Sequence, residues 1–161
     1  MVEIIVAPED RRDEIWTLFL EYCDDLSQYD GEKRPQTRKR YPYFDRYWEN
    51  TDCVPFLVTY HSEPIGFCLM CDTGVSYRVD EFYIRPLQRR RGFGKLVVDF
   101  VKEYCRKLGR HDVMAANVYV NNDPAIRFWQ SAGFRDTGRR MRIKNLRMIE
   151  TEADLEEAGQ P

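Results

Sequence analysis

The chain has 161 residues, 43% hydrophobic and 14% aromatic. That composition argues against disorder and fits one packed domain, at roughly 150 residues per domain. Charged residues make up 32%, but the net charge is −2 and the pI about 5.8. A dedicated nucleic-acid binder is strongly basic, so any basic patch here is local and suits a small anion.

Val2–Val6 reads as a strand. Pro8, Glu9 and Asp10 suit a first helical turn, because proline needs no N–H there and carboxylates suit the positive end. Ile15, Phe19, Tyr22 and Leu26 follow at helical spacing. Residues 29–40 form a turn-rich basic loop, and the aromatic stretch 41–50 reads as a short helix. Val54–Tyr60, Ile65–Cys71 and Val75–Ile84 are three strands separated by hairpin punctuation. A turn rich in arginine and glycine, residues 84–96, leads into a helix with Val97, Val101, Tyr104 and Leu108 on one face, ending at Gly109. Val113–Val120 is a strand. Asn122 caps a helix that runs to Gly133, and Met141 and Ile143 alternate as in a final strand. The acidic end, residues 150–161, reads as frayed.

These elements predict a single-domain α/β fold. The sheet is mixed and mostly antiparallel, with helices on both faces and one parallel crossover spanning residues 75–120. Five cysteines, odd in number and scattered, argue against a disulfide framework and read as buried small side chains in a reducing cytoplasm. Cys68 and Cys71 have the spacing of half a zinc site without a second pair, and His61 and His111 are far apart, so no metal is expected. The first residues do not have the pattern of a signal peptide. No stretch reaches the ~20 apolar residues of a membrane span.

The turn from Ile84 to Leu96 carries the chemistry. A helix start exposes unpaired N–H groups and partial positive charge, which together hold phosphate. Gly92 and Gly94 allow close approach of the backbone. Arg85, Arg89, Arg90, Arg91 and Lys95 add charge-assisted contacts. A Walker A loop is excluded by Arg89 and Leu96, and a dinucleotide fingerprint by the missing third glycine. The pattern that fits is Arg89-x-x-Gly92-x-Gly94 between strand and helix.

That pattern resembles the signature of the GCN5-related (GNAT) N-acetyltransferases. A second block is similar to theirs at Asn122, Ala125, Phe128, Trp129, Gly133 and Phe134. The resemblance covers residues 54–137, the expected acetyl-CoA-binding core, with 1–53 as the substrate side. It implies acetyl-CoA as donor, its pyrophosphate held by the amides of Arg90, Arg91, Gly92, Phe93, Gly94 and Lys95, after Arg89. It also implies a splayed central pair of parallel strands with pantetheine along Phe82, Tyr83 and Ile84, and further cofactor contacts from Asn122, Ala125, Phe128 and Trp129. Homodimers are common in the family.

Amine acetylation also needs proton removal, and a positioned base contributes about 10²–10⁴ in rate. Strict alternation along residues 77–84 sets Tyr77, Val79, Glu81 and Tyr83 on one face and Arg78, Asp80, Phe82 and Ile84 on the other. Glu81 is the candidate base, Asp80 its alternate or a cation-binding partner. The adjacent acids have a weak likeness to the diamine and polyamine branch of the family. Trp129 stands where many relatives have a proton-donating tyrosine, and indole N–H is too weak an acid for that role. The proton source is then Tyr119, Tyr83 or water. Asn117 cannot act as a base but can hydrogen-bond a substrate. Tyr41, Tyr43, Phe44, Tyr47 and Trp48 offer an aromatic wall, and Asp24, Asp25 and Asp30 favour a cation. The basic residues 33–40 instead suit a phosphate or an acidic substrate.

The reading is an acetyl-CoA-dependent N-acetyltransferase acting on a small primary amine by direct transfer in a ternary complex. Acetylation of a protein N-terminus or lysine, and acyl-CoA binding without catalysis, are the alternatives. No nucleic-acid or membrane partner is expected.

Overall fold

The computed structural model describes residues 1–31, 41–143 and 146–155. Strands β1 (Val2–Val6), β2 (Cys53–Tyr60), β3 (Glu63–Asp72), β4 (Tyr77–Ile84), β5 (Val113–Tyr119), β6 (Arg135–Ile143) and β7 (Leu146–Asp154) form one sheet in the order β1-β2-β3-β4-β5-β7-β6. Only β4 and β5 run parallel. The helices are α1 (Arg12–Asp30), α2 (Arg46–Glu49), α3 (Phe93–Leu108) and α4 (Asp123–Ser131).

Each face of the sheet buries its own core. On one, Phe56, Val58, Met70, Tyr77, Val79, Met114 and Ala116 pack with Val97, Val98 and Val101 of α3 and Trp129 of α4. On the other, Leu57, Phe67, Leu69 and Tyr83 pack with Ile15, Leu18 and Phe19 of α1 and Tyr47 of α2. Each fully buried aliphatic side chain is worth about 1.5–3 kcal/mol. This two-sided burial explains the unbroken apolar runs of β2 and β3, which no half-exposed strand would tolerate.

Three expectations are corrected. First, the acidic end is not frayed at residue 150: β7 reaches Asp154 between β5 and β6, and Leu155 is 2% exposed. Thr151, Ala153 and Leu155 are buried while Glu150, Glu152 and Asp154 alternate with them. The acids are thus the outward phase of a strand. Second, Cys53 and Cys71 oppose each other across the β2–β3 ladder and are joined as a disulfide, so scatter along the chain did not preclude a pair. Cys23, Cys68 and Cys105 are free and buried, and burial pushes the Cys105 thiol up to about 12. Third, Tyr29 and Asp30 belong to α1 rather than to the loop. Residues 32–40, and with them the whole basic stretch 33–40, lie outside the described residues.

Among the described residues no helix is long and apolar enough to cross a membrane, and no three His, Cys, Asp or Glu side chains group as a metal site. His111 bonds Asp72 through Nε2 at 2.6 Å, and His61 lies beside the Tyr60 ring.

The disulfide gives a direct expectation. Thiol titration of the unfolded, unreduced chain should count three thiols rather than five. Reduction should lower stability by about 3 kcal/mol, the chain-entropy value for a loop of this size, read as a shift in the denaturation midpoint.

Candidate active site

β4 and β5 pair at only three positions, Tyr77–Met114, Arg78–Ala115 and Val79–Ala116. The two strands continue to Ile84 and Tyr119 without further pairing, so they form a fork. A cavity of about 710 Å³ opens along it, lined by Arg78–Phe82, by Ala116–Tyr119, by α1 and the segment leading into α2, and by Asn122, Ala125 and Trp129.

The fork begins at a β-bulge. Leu69 of β3 opposes Glu81 and Met70 opposes Val79, which leaves Asp80 as the extra residue. A bulge breaks the two-residue period and bends the strand. The expected alternation along β4 therefore fails. Tyr77, Val79, Phe82 and Ile84 all pack on the α3 side, while Asp80, Glu81 and Tyr83 all meet α1 or α2. The bulge turns two neighbouring acids toward the same side, which regular pleating forbids.

Their environments differ. Asp80 accepts from Arg46 Nη2 at 2.7 Å, Tyr47 Oη at 2.7 Å and Arg78 Nε at 2.6 Å. Two guanidinium groups and a phenol thus hold its oxygens. Glu81 accepts a hydrogen bond from the Tyr22 hydroxyl. Burial, with the Glu81 charge beside it, holds the Tyr22 phenol well above its ordinary value, so it remains a donor. Tyr119 donates to Asp30 Oδ2 at 3.4 Å. Burial, with Glu21 nearby, pushes the Tyr83 phenol up to about 12; its ring lies under the Arg89 guanidinium. Of the two, Tyr119 lines the cavity and Tyr83 does not. The Asn117 Oδ1 atom is buried with no hydrogen-bond partner among the described residues.

The basic turn divides its labour. Arg85 grips Glu21 with two bonds, at 3.0 and 2.7 Å, and also donates to the Pro64 carbonyl. Arg89 donates to the Ile84 carbonyl and to Asp25, both at 2.7 Å. Arg91 lies over Tyr60 and Phe93, and Lys95 pairs with Asp99. These contacts tie the turn to α1 and to its own surroundings. The start of α3 leaves its main-chain N–H groups without a side-chain cap, and among the described residues Arg90 and Arg91 form no ion pair with an acid. Gly92 precedes α3 at φ +84°, and no side chain caps the helix. A Cβ on Gly92 would meet nothing, so the requirement there is the left-handed backbone itself. At Gly94 the requirement is packing: a Cβ would lie 2.8 Å from Phe128 Cε2.

The second block is chiefly architectural. Asn122 Oδ1 caps α4 by accepting from the Ala125 N–H at 3.2 Å. Phe128 stacks on Phe82 with centroids 5.3 Å apart, and Trp129, 6% exposed, packs edge-on to Phe82 and Phe134. Asn122, Ala125 and Trp129 also line the cavity; Phe128 stands behind Phe82. Lys102 donates to the Ala132 carbonyl at the end of α4, at 2.7 Å. Of the expected aromatic wall, Tyr41, Tyr43, Phe44 and Tyr47 line the cavity, whereas Trp48 turns away and donates to the Ala7 carbonyl. Asp25 is engaged with Arg89, and Asp24 is exposed. The roles of Tyr22 and Arg46 were hidden in sequence. Tyr22 has the spacing of a core position, and only the tertiary fold brings it to Glu81, 59 residues away.

A parallel pair that forks over a cavity, linked through an uncapped helix start bearing glycine, defines an α/β fold suited to a phosphate-bearing ligand. The sequence matches the acetyltransferase (GNAT) family over residues 14–134, and the chain belongs to that family. It is an acetyl-CoA-dependent N-acetyltransferase by class. No curated protein matches the sequence. Among solved structures, the spermidine N-acetyltransferase of Vibrio cholerae, with CoA and spermine, superposes with a TM-score of 0.74 at 13% identity, covering 96% of this chain and 95% of that one. The ribosomal-protein-S18-alanine N-acetyltransferase of Escherichia coli gives 0.73 at 14% identity, over 99% and 97%. Arabidopsis thaliana NAA60, with acetyl-CoA, gives 0.72 at 14% identity, over 96% and 98%. At such identities these likenesses establish the shared fold.

Replacing Gly92 with Asp tests the turn. A left-handed position would gain a Cβ, and the helix start a negative charge, so acetyl-CoA binding measured by calorimetry should fall below detection. The Asp25→Asn variant, which only loosens Arg89, should retain binding.

Proposed function

We propose that this protein transfers an acetyl group from acetyl-CoA to a primary amine of a small molecule, directly within a ternary complex. The observation that carries the reading is the cavity of about 710 Å³ at the fork, with aromatic rings and the Glu81 carboxylate in one wall. Its volume falls in the range of small-molecule sites, and aromatic faces with a carboxylate suit an alkylammonium group.

The residues present fit the donor. The uncapped first turn of α3 offers the N–H groups of Gly92, Phe93, Gly94 and Lys95 to a diphosphate. The open arm of β4 offers main-chain groups near Phe82 to a pantetheine chain, although the Ile84 carbonyl is already taken by Arg89. When bound, acetyl-CoA supplies the activated thioester.

The chain's own residues handle the proton. An alkylammonium group has a pKa near ~10.4 and must lose a proton before it can attack. Glu81 is assigned as the group that takes it, directly or through water. Asp80 is assigned to binding and structure, since Arg46, Arg78 and Tyr47 occupy its oxygens. Tyr119, held by Asp30, carries a phenolic proton in the same cavity wall. The structurally similar enzymes include polyamine and protein acetyltransferases. The aromatic lining from Tyr41, Phe44 and Tyr47 favours the small acceptor.

Free-thiol release with acetyl-CoA and a panel of primary amines, amino-terminal peptides and lysine peptides should show turnover with small amines. Turnover with peptides alone would move the assignment to a protein acceptor. No release with any acceptor would leave acyl-CoA binding without catalysis. Glu81→Gln should lower turnover at neutral pH by about 10²-fold or more while acetyl-CoA affinity stays at the wild-type value.

A further inference from the structure

Glu81 does not stand alone in the wall. The phenol of Tyr22 reaches it from α1 across the cavity floor. The Tyr22 ring is set among Phe19, Phe67 and Tyr83, at centroid distances of 5.8, 5.7 and 5.9 Å. Three aromatic neighbours leave the ring little freedom, so its hydroxyl is a fixed point. A fixed donor on one oxygen of a carboxylate selects the side-chain rotamer. It also stabilises the charged form over the neutral one.

We infer that Tyr22 is a positioning residue for Glu81: its hydroxyl fixes the carboxylate in the cavity wall and sets the pH range over which that carboxylate takes up a proton. The inference deepens the proposed function and rests on Glu81 as the base. Among the described residues, the titratable and charged groups lining the cavity with Glu81 are Tyr22 and Cys23 from α1, Tyr41 and Tyr43 from the segment before α2, Arg46 and Tyr47 from α2, Tyr119 from β5, and the adjacent Arg78 and Asp80. Asp30, at the end of α1, holds Tyr119. A change confined to the Tyr22 hydroxyl leaves every one of these in place.

The geometry suits two substitutions of opposite sign. Tyr22→Phe removes the donor without altering the packing of the ring. A fluorinated tyrosine at position 22 keeps ring and hydroxyl and makes the hydroxyl a stronger donor. Chain labelled with carbon isotope in its glutamate carboxyls allows the Glu81 midpoint to be followed by NMR, with Glu81→Gln assigning the resonance. The expected result is a midpoint raised by about one pH unit in Tyr22→Phe, the size of one lost hydrogen bond to a carboxylate, and lowered in the fluorinated protein. With the best amine of the panel, the acid limb of kcat should move in the same two directions. Midpoints that coincide in all three proteins would overturn the inference, and so would shifts of the same sign. Because the fluorinated ring is nearly isosteric with tyrosine, its arm stands even if Tyr22→Phe unfolds. The two readings fail separately: full turnover in Glu81→Gln removes the base, whereas unmoved midpoints with an inactive Glu81→Gln remove only the role of Tyr22.

Discussion

One extra residue in one strand organises the molecule. Regular pleating would send Asp80 and Glu81 to opposite faces of the sheet, one of them into an apolar core. Burying a lone carboxylate there is strongly unfavourable. The bulge at Asp80 lets both acids meet polar partners on the side of α1 and α2, while Phe82 and Ile84 return to the core under α3. The same irregularity comes where β4 stops pairing with β5. The acid pair, the fork and the cavity therefore share one local cause.

A forked pair of strands lacks the hydrogen bonds that would hold its arms in register, and α1 takes over that task. Along its last three turns, Glu21 bonds Arg85, Tyr22 bonds Glu81, Asp25 bonds Arg89, the Tyr29 carbonyl accepts from Asn121, and Asp30 accepts from Tyr119. The first three reach β4 and the turn beyond it; the last two reach β5 and its exit. Exposed ion pairs contribute little singly, but five contacts from one rigid helix fix a spacing that no single pair could fix. This arrangement also resolves the paradox of so many arginines in an acidic chain. Arg85 and Arg89 are the fastenings of that helix, while the main chain at the start of α3 is left without a side-chain cap.

Much of this was legible from the residues. Element order as far as β6, the capping of α4 by Asn122 and the strand–glycine turn–helix junction follow from local rules, because short-range sterics and hydrogen bonding dictate them. The candidate base and the aromatic lining were also visible as residue types in order. What escaped notice depends on register. The bulge is invisible because a period of two does not announce its own interruption. The partnership of Tyr22 with Glu81 and the pairing of Cys53 with Cys71 exist only once strands and helix are docked. The final strand was missed for another reason: its outward phase is acidic, and charge was read as solvation although Thr151, Ala153 and Leu155 keep the strand period between the acids.

The place of β7 has a consequence for how the chain emerges from the ribosome. β6 is synthesised before β7 but pairs with nothing else, and β5 leaves one edge bare until β7 slots between them. During translation the wall of the cavity that Met141 and Met148 complete is thus the last part to close. A nascent chain stalled short of β7 would display the bare edge of β5 and an unpartnered β6 segment, the kind of surface on which chaperones and aggregation compete.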